Sequence, residues 1–147
     1  MKIVVCGSLD FTEQIKSVAD QLTARGDEVT IPRGAEAILK GELTFGQVKK
    51  ERESLDVPQS KVKNNVLKYY FEKIQSSDAI LVLNFEKNGI PNYIGGNTLI
   101  EMAFAHVLDK TIYLFNPIPQ MSYSSEILAT LPVVIHGDVS LITNVLS

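Results

Sequence analysis

The chain has 147 residues, 45% hydrophobic and 21% charged, which suits one domain with a real core and excludes a disordered chain. A single cysteine, Cys6, excludes an internal disulfide framework and a multi-thiolate zinc site, and two histidines, His106 and His136, leave little for a transition metal, so neither metal nor cofactor is expected. A formal net charge of −3 argues against a nucleic-acid partner, no apolar run nears the roughly 20 residues of a membrane span, and the opening Met1–Gly7 stretch is too short for a signal peptide, so a cytoplasmic protein away from membranes is expected.

Ile3-Val4-Val5-Cys6 is a continuous apolar run ending in Gly7-Ser8 and reads as a strand buried on both faces. Phe11, Ile15, Val18, Ala19 and Leu22 recur at helical spacing, with Asp10 as the expected cap and Arg25-Gly26 as the stop. Glu28–Ile31 reads as a second strand, stopped by Pro32.

Residues 33–61 differ in kind. Gly34, Gly41, Gly46, Pro58 and the charge run Lys49–Glu53 predict a solvated excursion with one or two short helices, either a wet helix face or a lid over a site. A helix from about Val62 to Gln75 turns Val66, Leu67, Tyr70, Phe71 and Ile74 inward. Ala79–Asn84 is a third strand, preceded by Asp78, and Thr98–Leu108 a helix so apolar that burial on most sides is expected. Thr111–Phe115 is a fourth strand, Ser122–Leu131 a short helix, Val133–Ile135 a fifth strand, and Val139–Leu146 a closing helix begun by Asp138.

Apolar strands alternating with helices predict an α/β fold with a parallel sheet, doubly wound and flavodoxin- or Rossmann-like, in strand order 2-1-3-4-5. All of 1–147 is expected to form this one domain. Ligands in such sheets bind beyond the carboxyl ends of the strands where the order reverses, here between the first and third strands. Gly7-Ser8 leaves one of them, and the loop Asn84–Asn97 leaves the other, leading to the helix that carries Glu101.

Two readings of Glu101 stand side by side. Thr98-x-x-Glu101 has the spacing of a capping box, and an acid suits a helix N-terminus. Equally, a carboxylate at the floor of a cleft, kept ionised by that N-terminus, is available as a nucleophile. Gly95-Gly96-Asn97-Thr98 is either an ordinary turn or a place where a ligand meets free backbone N–H groups. It is neither a P-loop nor a dinucleotide fingerprint, since no Gly-Lys-Ser/Thr follows and Gly7 stands alone. Tyr69 and Tyr70 either line the crevice or pack in the core, and Cys6 reads as packing.

Taken in order, Val4-Val5-Cys6-Gly7-Ser8, Ser77–Asn84, Gly96–Ala105 and Lys110–Leu114 resemble the nucleoside 2-deoxyribosyltransferase superfamily, which includes 2'-deoxynucleoside 5'-phosphate N-hydrolases. The resemblance covers about 140 residues, so nearly the whole chain. It implies cleavage or transfer at the N-glycosidic bond of a nucleoside or its 5'-monophosphate, with Glu101 as the nucleophile. Asp78 would match an acidic position before the central strand. Gly7 and Ser8 would match the sugar or phosphate side, joined in the substrate-binding set by Asn84, Gly95, Gly96, Asn97 and Thr98. The resemblance also implies a homo-oligomer, a dimer or larger. This chain departs from the transferase pattern in having Asn97, not glycine, four residues before the Glu. Its loop of residues 86–94 offers Glu86 as the one carboxylate to assist the leaving base. A non-catalytic nucleotide-binding or sensing domain is the alternative reading.

Overall fold

Alternation along the first strand organises the molecule. Ile3 and Val5 point to one face of the sheet and Val4 and Cys6 to the other, and each set is buried in its own apolar layer. The computed structural model describes the backbone of residues 1–53 and 57–144 and the side chains of 1–50 and 66–144. Its strands are β1 (Lys2–Gly7), β2 (Glu28–Thr30), β3 (Ala79–Leu83), β4 (Thr111–Leu114) and β5 (Val133–Val134). They form one parallel sheet in the order 2-1-3-4-5, as the pattern of apolar runs predicts. The order reverses between β1 and β3, which pair from Ile3–Ala79 to Gly7–Leu83.

The helices are α1 (Thr12–Ala24), α2 (Arg33–Leu39), α3 (Phe45–Glu53), α4 (Val57–Gln75), α5 (Gly96–Val107) and α6 (Ser124–Ala129). On the first face, Phe11, Ile15, Val18 and Leu22 pack with Ile3, Val5, Leu81 and Leu83. On the second, Ile74 of α4, Met102 and Ala105 of α5 and Ile127 of α6 cover Val4, Cys6, Ile80, Val82 and Leu114.

Several expectations need correction. The cap before α1 is Ser8, whose Oγ accepts from the Asp10 N–H at 3.3 Å, and a short 3-10 turn over Leu9–Phe11 precedes the helix. The excursion is not wholly solvated: Ala35 of α2 and Val48 of α3 are buried in the first apolar layer. Its residues 54–56, and the side chains of Glu51-Arg52-Glu53, lie outside the described residues. In place of a closing helix there is one 3-10 turn over Val139–Leu141, with 145–147 outside the described residues. Ile142 is extended and buried, and its carbonyl accepts from the Arg25 guanidinium at 3.0 Å, so the backbone is committed elsewhere.

Helix α5 is corrected twice. It begins at Gly96 with Gly95 as the cap residue and no side chain capping it, so Thr98 is its third residue and Glu101 its sixth. It is also not buried on most sides: Thr98, Met102 and Ala105 are buried, whereas Ile100 and Val107 face outward at 38% and 71% exposure.

Candidate active site

The carboxyl ends of β1 and β3 open into a cavity of about 200 Å³, at the point where the strand order reverses. Its floor on the β1 side is Gly7 and Ser8. Gly7 lies so close to β3 that a Cβ there would sit 2.9 Å from the Leu83 carbonyl oxygen, which keeps this corner bare backbone. The start of α5 supplies a second wall through Gly96, Asn97, Thr98 and Glu101. No side chain caps this helix, so its first backbone N–H groups face the cavity's rim and favour negative charge or hydroxyl oxygens there. Among the described residues, nothing stands within 4 Å of a Cβ built on Gly96, which leaves room for a ligand at the helix end.

Glu101 lies in the second turn of α5, half-buried, on the cavity wall. A capping box puts its acid three residues after the cap; Glu101 is six residues after Gly95, so the capping reading does not apply. Its neighbour is Cys6, the last even-numbered residue of β1 and therefore on the α5 face of the sheet. Burial pushes the Cys6 thiol well above its ordinary value, and the Glu101 carboxylate pushes the same way by its charge and by accepting the thiol's hydrogen bond. Cys6 is thus both packing and a neutral donor to the carboxylate.

The remaining walls come from Tyr70, one of the two tyrosines that could line the crevice, and from Pro32, Lys87 and Tyr93, which the sequence did not single out as site residues. Pro32, read as a strand stop, lines the far side with Tyr70. Tyr70 is buried, and its hydroxyl accepts from the Arg33 N–H at 2.6 Å, which ties α4 to the start of α2. Tyr69 does not line the cavity; it stacks edge-on against Tyr70 and carries the Arg33 guanidinium 4.6 Å above its ring.

Lys87 and Tyr93 enter from the loop after β3. Residues 87–90 form a tight reversal with paired Lys87 and Ile90 backbones, and Asn88 and Gly89 both have positive φ. Asn-Gly is the dipeptide that such a hairpin turn favours, a signal present in the sequence that would have shown the loop to be ordered. The Lys87 ammonium donates to Ser8 Oγ at 3.0 Å, stands 3.6 Å from Asp10 Oδ2, and lies 5.2 Å from the Tyr93 ring centre.

Three expected site residues lie elsewhere. Asp78 is at the amino end of β3, the opposite edge of the sheet, where its carboxylate accepts from the Lys2 N–H at 2.7 Å. Glu86 is exposed and does not line the cavity; its carboxylate accepts from the Gly89 N–H at 2.6 Å and stabilises the turn. Asn84 is fully buried beneath the site, donating to the carbonyls of Asn92, Asn116 and Pro117 and accepting from the Asn116 N–H. It joins the loops after β3 and β4 and does not reach the cavity. Gly7, Ser8, Gly95, Gly96, Asn97, Thr98 and Glu101 are brought together. Among the described residues, no cluster of three or more His, Cys, Asp or Glu side chains could hold a metal ion, and no helix is long and apolar enough to cross a membrane.

This architecture is found in solved enzymes. The chain has the fold of a 2-deoxyribosyltransferase. The structure in question is the 2-deoxyribosyltransferase of the psychrotolerant bacterium Bacillus psychrosaccharolyticus, 17% identical with a TM-score of 0.55, over 80% of this chain and 73% of that one. The chain is also similar to the CMP N-glycosidase of Clostridium botulinum, at 14% identity and a TM-score of 0.47, over 91% of this chain and 85% of that one. No protein-family model and no curated protein matches it.

Proposed function

We infer that the chain is an enzyme that cleaves or transfers at the N-glycosidic bond of a nucleoside or its 5'-monophosphate, with Glu101 as the nucleophile. The observation that carries this reading is the place of Glu101: a carboxylate on the wall of the switch-point cavity, beyond the helix cap. The fold shared with a 2-deoxyribosyltransferase supports it.

In the first step the ionised Glu101 oxygen attacks the anomeric carbon from the face opposite the base. A C–O ester bond forms, the C–N bond breaks, and the base leaves with the electron pair and takes up a proton. In the second step water, or another base, attacks the anomeric carbon and frees Glu101, with overall retention. The Cys6 thiol lies beside the Glu101 carboxylate as a neutral neighbour. Gly7, Ser8 and the α5 turn face the sugar, and Tyr70 and Pro32 form the apolar wall for the base. A homo-oligomer working in the cytoplasm belongs to the same reading; a monomer in sedimentation at micromolar concentration and above removes that part.

The test is a panel of ribo- and deoxyribonucleosides and their 5'-monophosphates, assayed for free base with and without a second base as acceptor. Release of base from at least one member supports the reading, and acceptor-dependent release marks a transferase. Binding without any release across the panel replaces it with the nucleotide-binding domain.

A further inference from the structure

Asn88-Gly89 is the chain's one Asn-Gly step, and neither step of the reaction above uses it. Such a pair can modify itself. The backbone nitrogen of the glycine loses its proton and attacks the asparagine side-chain carbonyl carbon. A five-membered succinimide closes and ammonia leaves. Water then opens the ring at either carbonyl, giving aspartate or an isoaspartyl linkage whose main chain is one methylene longer. Glycine favours the attack because no side chain crowds its nitrogen. Asn88 and Gly89 are both exposed, and among the described residues nothing lies within 4 Å of a Cβ built on Gly89. The ring and the incoming water both have room.

Two features oppose the reaction. The turn is tied on both strands: the Lys87 N–H donates to the Ile90 carbonyl at 3.1 Å, and the Ile90 N–H to the Lys87 carbonyl at 2.9 Å. These bonds hold Asn88 at φ 53° and Gly89 at φ 77°, whereas ring closure needs rotation of the Asn88 backbone. The attacking nitrogen is also engaged already. Its N–H donates to Glu86 Oε1 at 2.6 Å, a short bond to a charged acceptor. Ring closure begins with loss of that same proton, and a carboxylate so near disfavours a second negative charge on the nitrogen.

Lys87 precedes the labile pair and lines the cavity, where its ammonium donates to Ser8 Oγ at 3.0 Å and stands 5.2 Å from the Tyr93 ring centre. An isoaspartyl linkage at position 88 lengthens a two-residue turn, so the Lys87–Ile90 pairing loses its register. It also puts a new carboxylate next to Lys87 in the chain, in competition with Ser8 for the ammonium.

We propose that Asn88 is a self-modification site that Glu86 keeps dormant, and that its conversion releases Lys87 from the cavity wall. This does not rest on the N-glycosidic reading.

The test is ageing of the native protein, Glu86→Gln and Glu86→Ala in mildly alkaline buffer, folded and in urea. Peptide mass spectrometry reads the exchange of amide for acid at Asn88, enzymatic methylation reads the isoaspartyl form, and melting temperatures confirm that each variant is folded. Folded Glu86→Ala should convert at least about tenfold faster than the folded native protein, and Glu86→Gln, which keeps an uncharged acceptor, should fall between them. In urea all three should convert at a common rate, faster than the folded native protein. Equal rates in the folded native protein and folded Glu86→Ala overturn the guard, and so does slower conversion in Glu86→Ala, which would make Glu86 the base that starts the reaction. Native protein that converts as fast folded as in urea overturns it as well. Converted protein, separated by anion exchange on its added charge, is then treated with an amine-labelling reagent. Lys87, whose side chain is 21% exposed in the unconverted protein, should label at least about threefold faster after conversion. Unchanged labelling of Lys87 overturns its release.

Discussion

The thiol of Cys6, the last buried residue of β1, lies beside the carboxylate of Glu101 in the second turn of α5. Strand alternation brings them together. Cys6 faces the layer that α5 covers, and Gly7 and Ser8 then carry the chain out beyond the sheet, so the thiol lies directly beneath the cavity wall. The thiol itself is fully buried, so a neutral group suits its place on the strand.

Burial of this thiol, reinforced by the Glu101 carboxylate, makes stability depend on alkaline pH. The folded protein holds the Cys6 proton more tightly than the unfolded chain does. That stabilisation is complete below the unfolded thiol's value, about pH 8.5, and is lost as pH rises through the raised folded value, at up to about 1.4 kcal/mol per pH unit. Urea unfolding of the native protein and of Cys6→Ala at pH 7.5, 8.5 and 9.5 should show the native protein losing stability faster above pH 8.5. Parallel curves would show that Cys6 releases its proton as easily in the folded state as in the unfolded one.

Asn84 is predicted to matter for stability well before it matters for chemistry. Its buried side-chain amide holds the carbonyls of Asn92, Asn116 and Pro117 and the N–H of Asn116. Asn84→Ala leaves those groups without their partner and should cost about 2–4 kcal/mol. Denaturant unfolding reads the loss directly; a change under about 1 kcal/mol would mean that water takes the place of the amide.

Asp78 and Glu86 should prove dispensable for the reaction. Asp78 sits at the wrong edge of the sheet and Glu86 faces outward to hold its own turn. Asp78→Asn and Glu86→Gln are expected to keep base release within about threefold of native. A loss of a hundredfold or more in Glu86→Gln, with the turn intact, would make it the acid that protonates the leaving base after a movement of the loop.

The sheet order was legible because each strand is a short apolar run and each crossover a helix, so periodicity and handedness leave few choices. The place of the cavity followed from that order. The start of α5 was misread because Thr98 and Glu101 have the spacing of a cap, whereas Gly95 begins the helix without any capping side chain. Nothing local separates the two; the choice is made by burial of Thr98 in the cavity wall. Asp78 was placed correctly before the third strand, and only the resemblance carried it into the site, against the rule that ligands bind at the carboxyl ends of the strands. Lys87 and Cys6 were missed for a different reason. Each acts through a partner distant in sequence, Ser8 in one case and Glu101 in the other, and such pairs appear only when the fold closes.

Glu101→Gln separates structure from chemistry at the centre of the site. Because Glu101 does not cap α5, no capping contact is lost, and glutamine keeps the side chain's shape and an acceptor oxygen beside Cys6. The fold should be kept, with a melting temperature within about 2 °C of native, at most about 1 kcal/mol for a chain of this size. Nucleotide affinity should stay within about tenfold, or about 1.4 kcal/mol. Base release should fall by at least about 10²-fold, since an amide cannot form the glycosyl ester. A 2'-fluoro-arabinosyl substrate, whose ester hydrolyses slowly, should label the native protein at Glu101 and leave the variant unlabelled, as mass spectrometry of peptides would show. Native turnover in the folded variant, or a label on another carboxylate, would move the nucleophile elsewhere in the cavity.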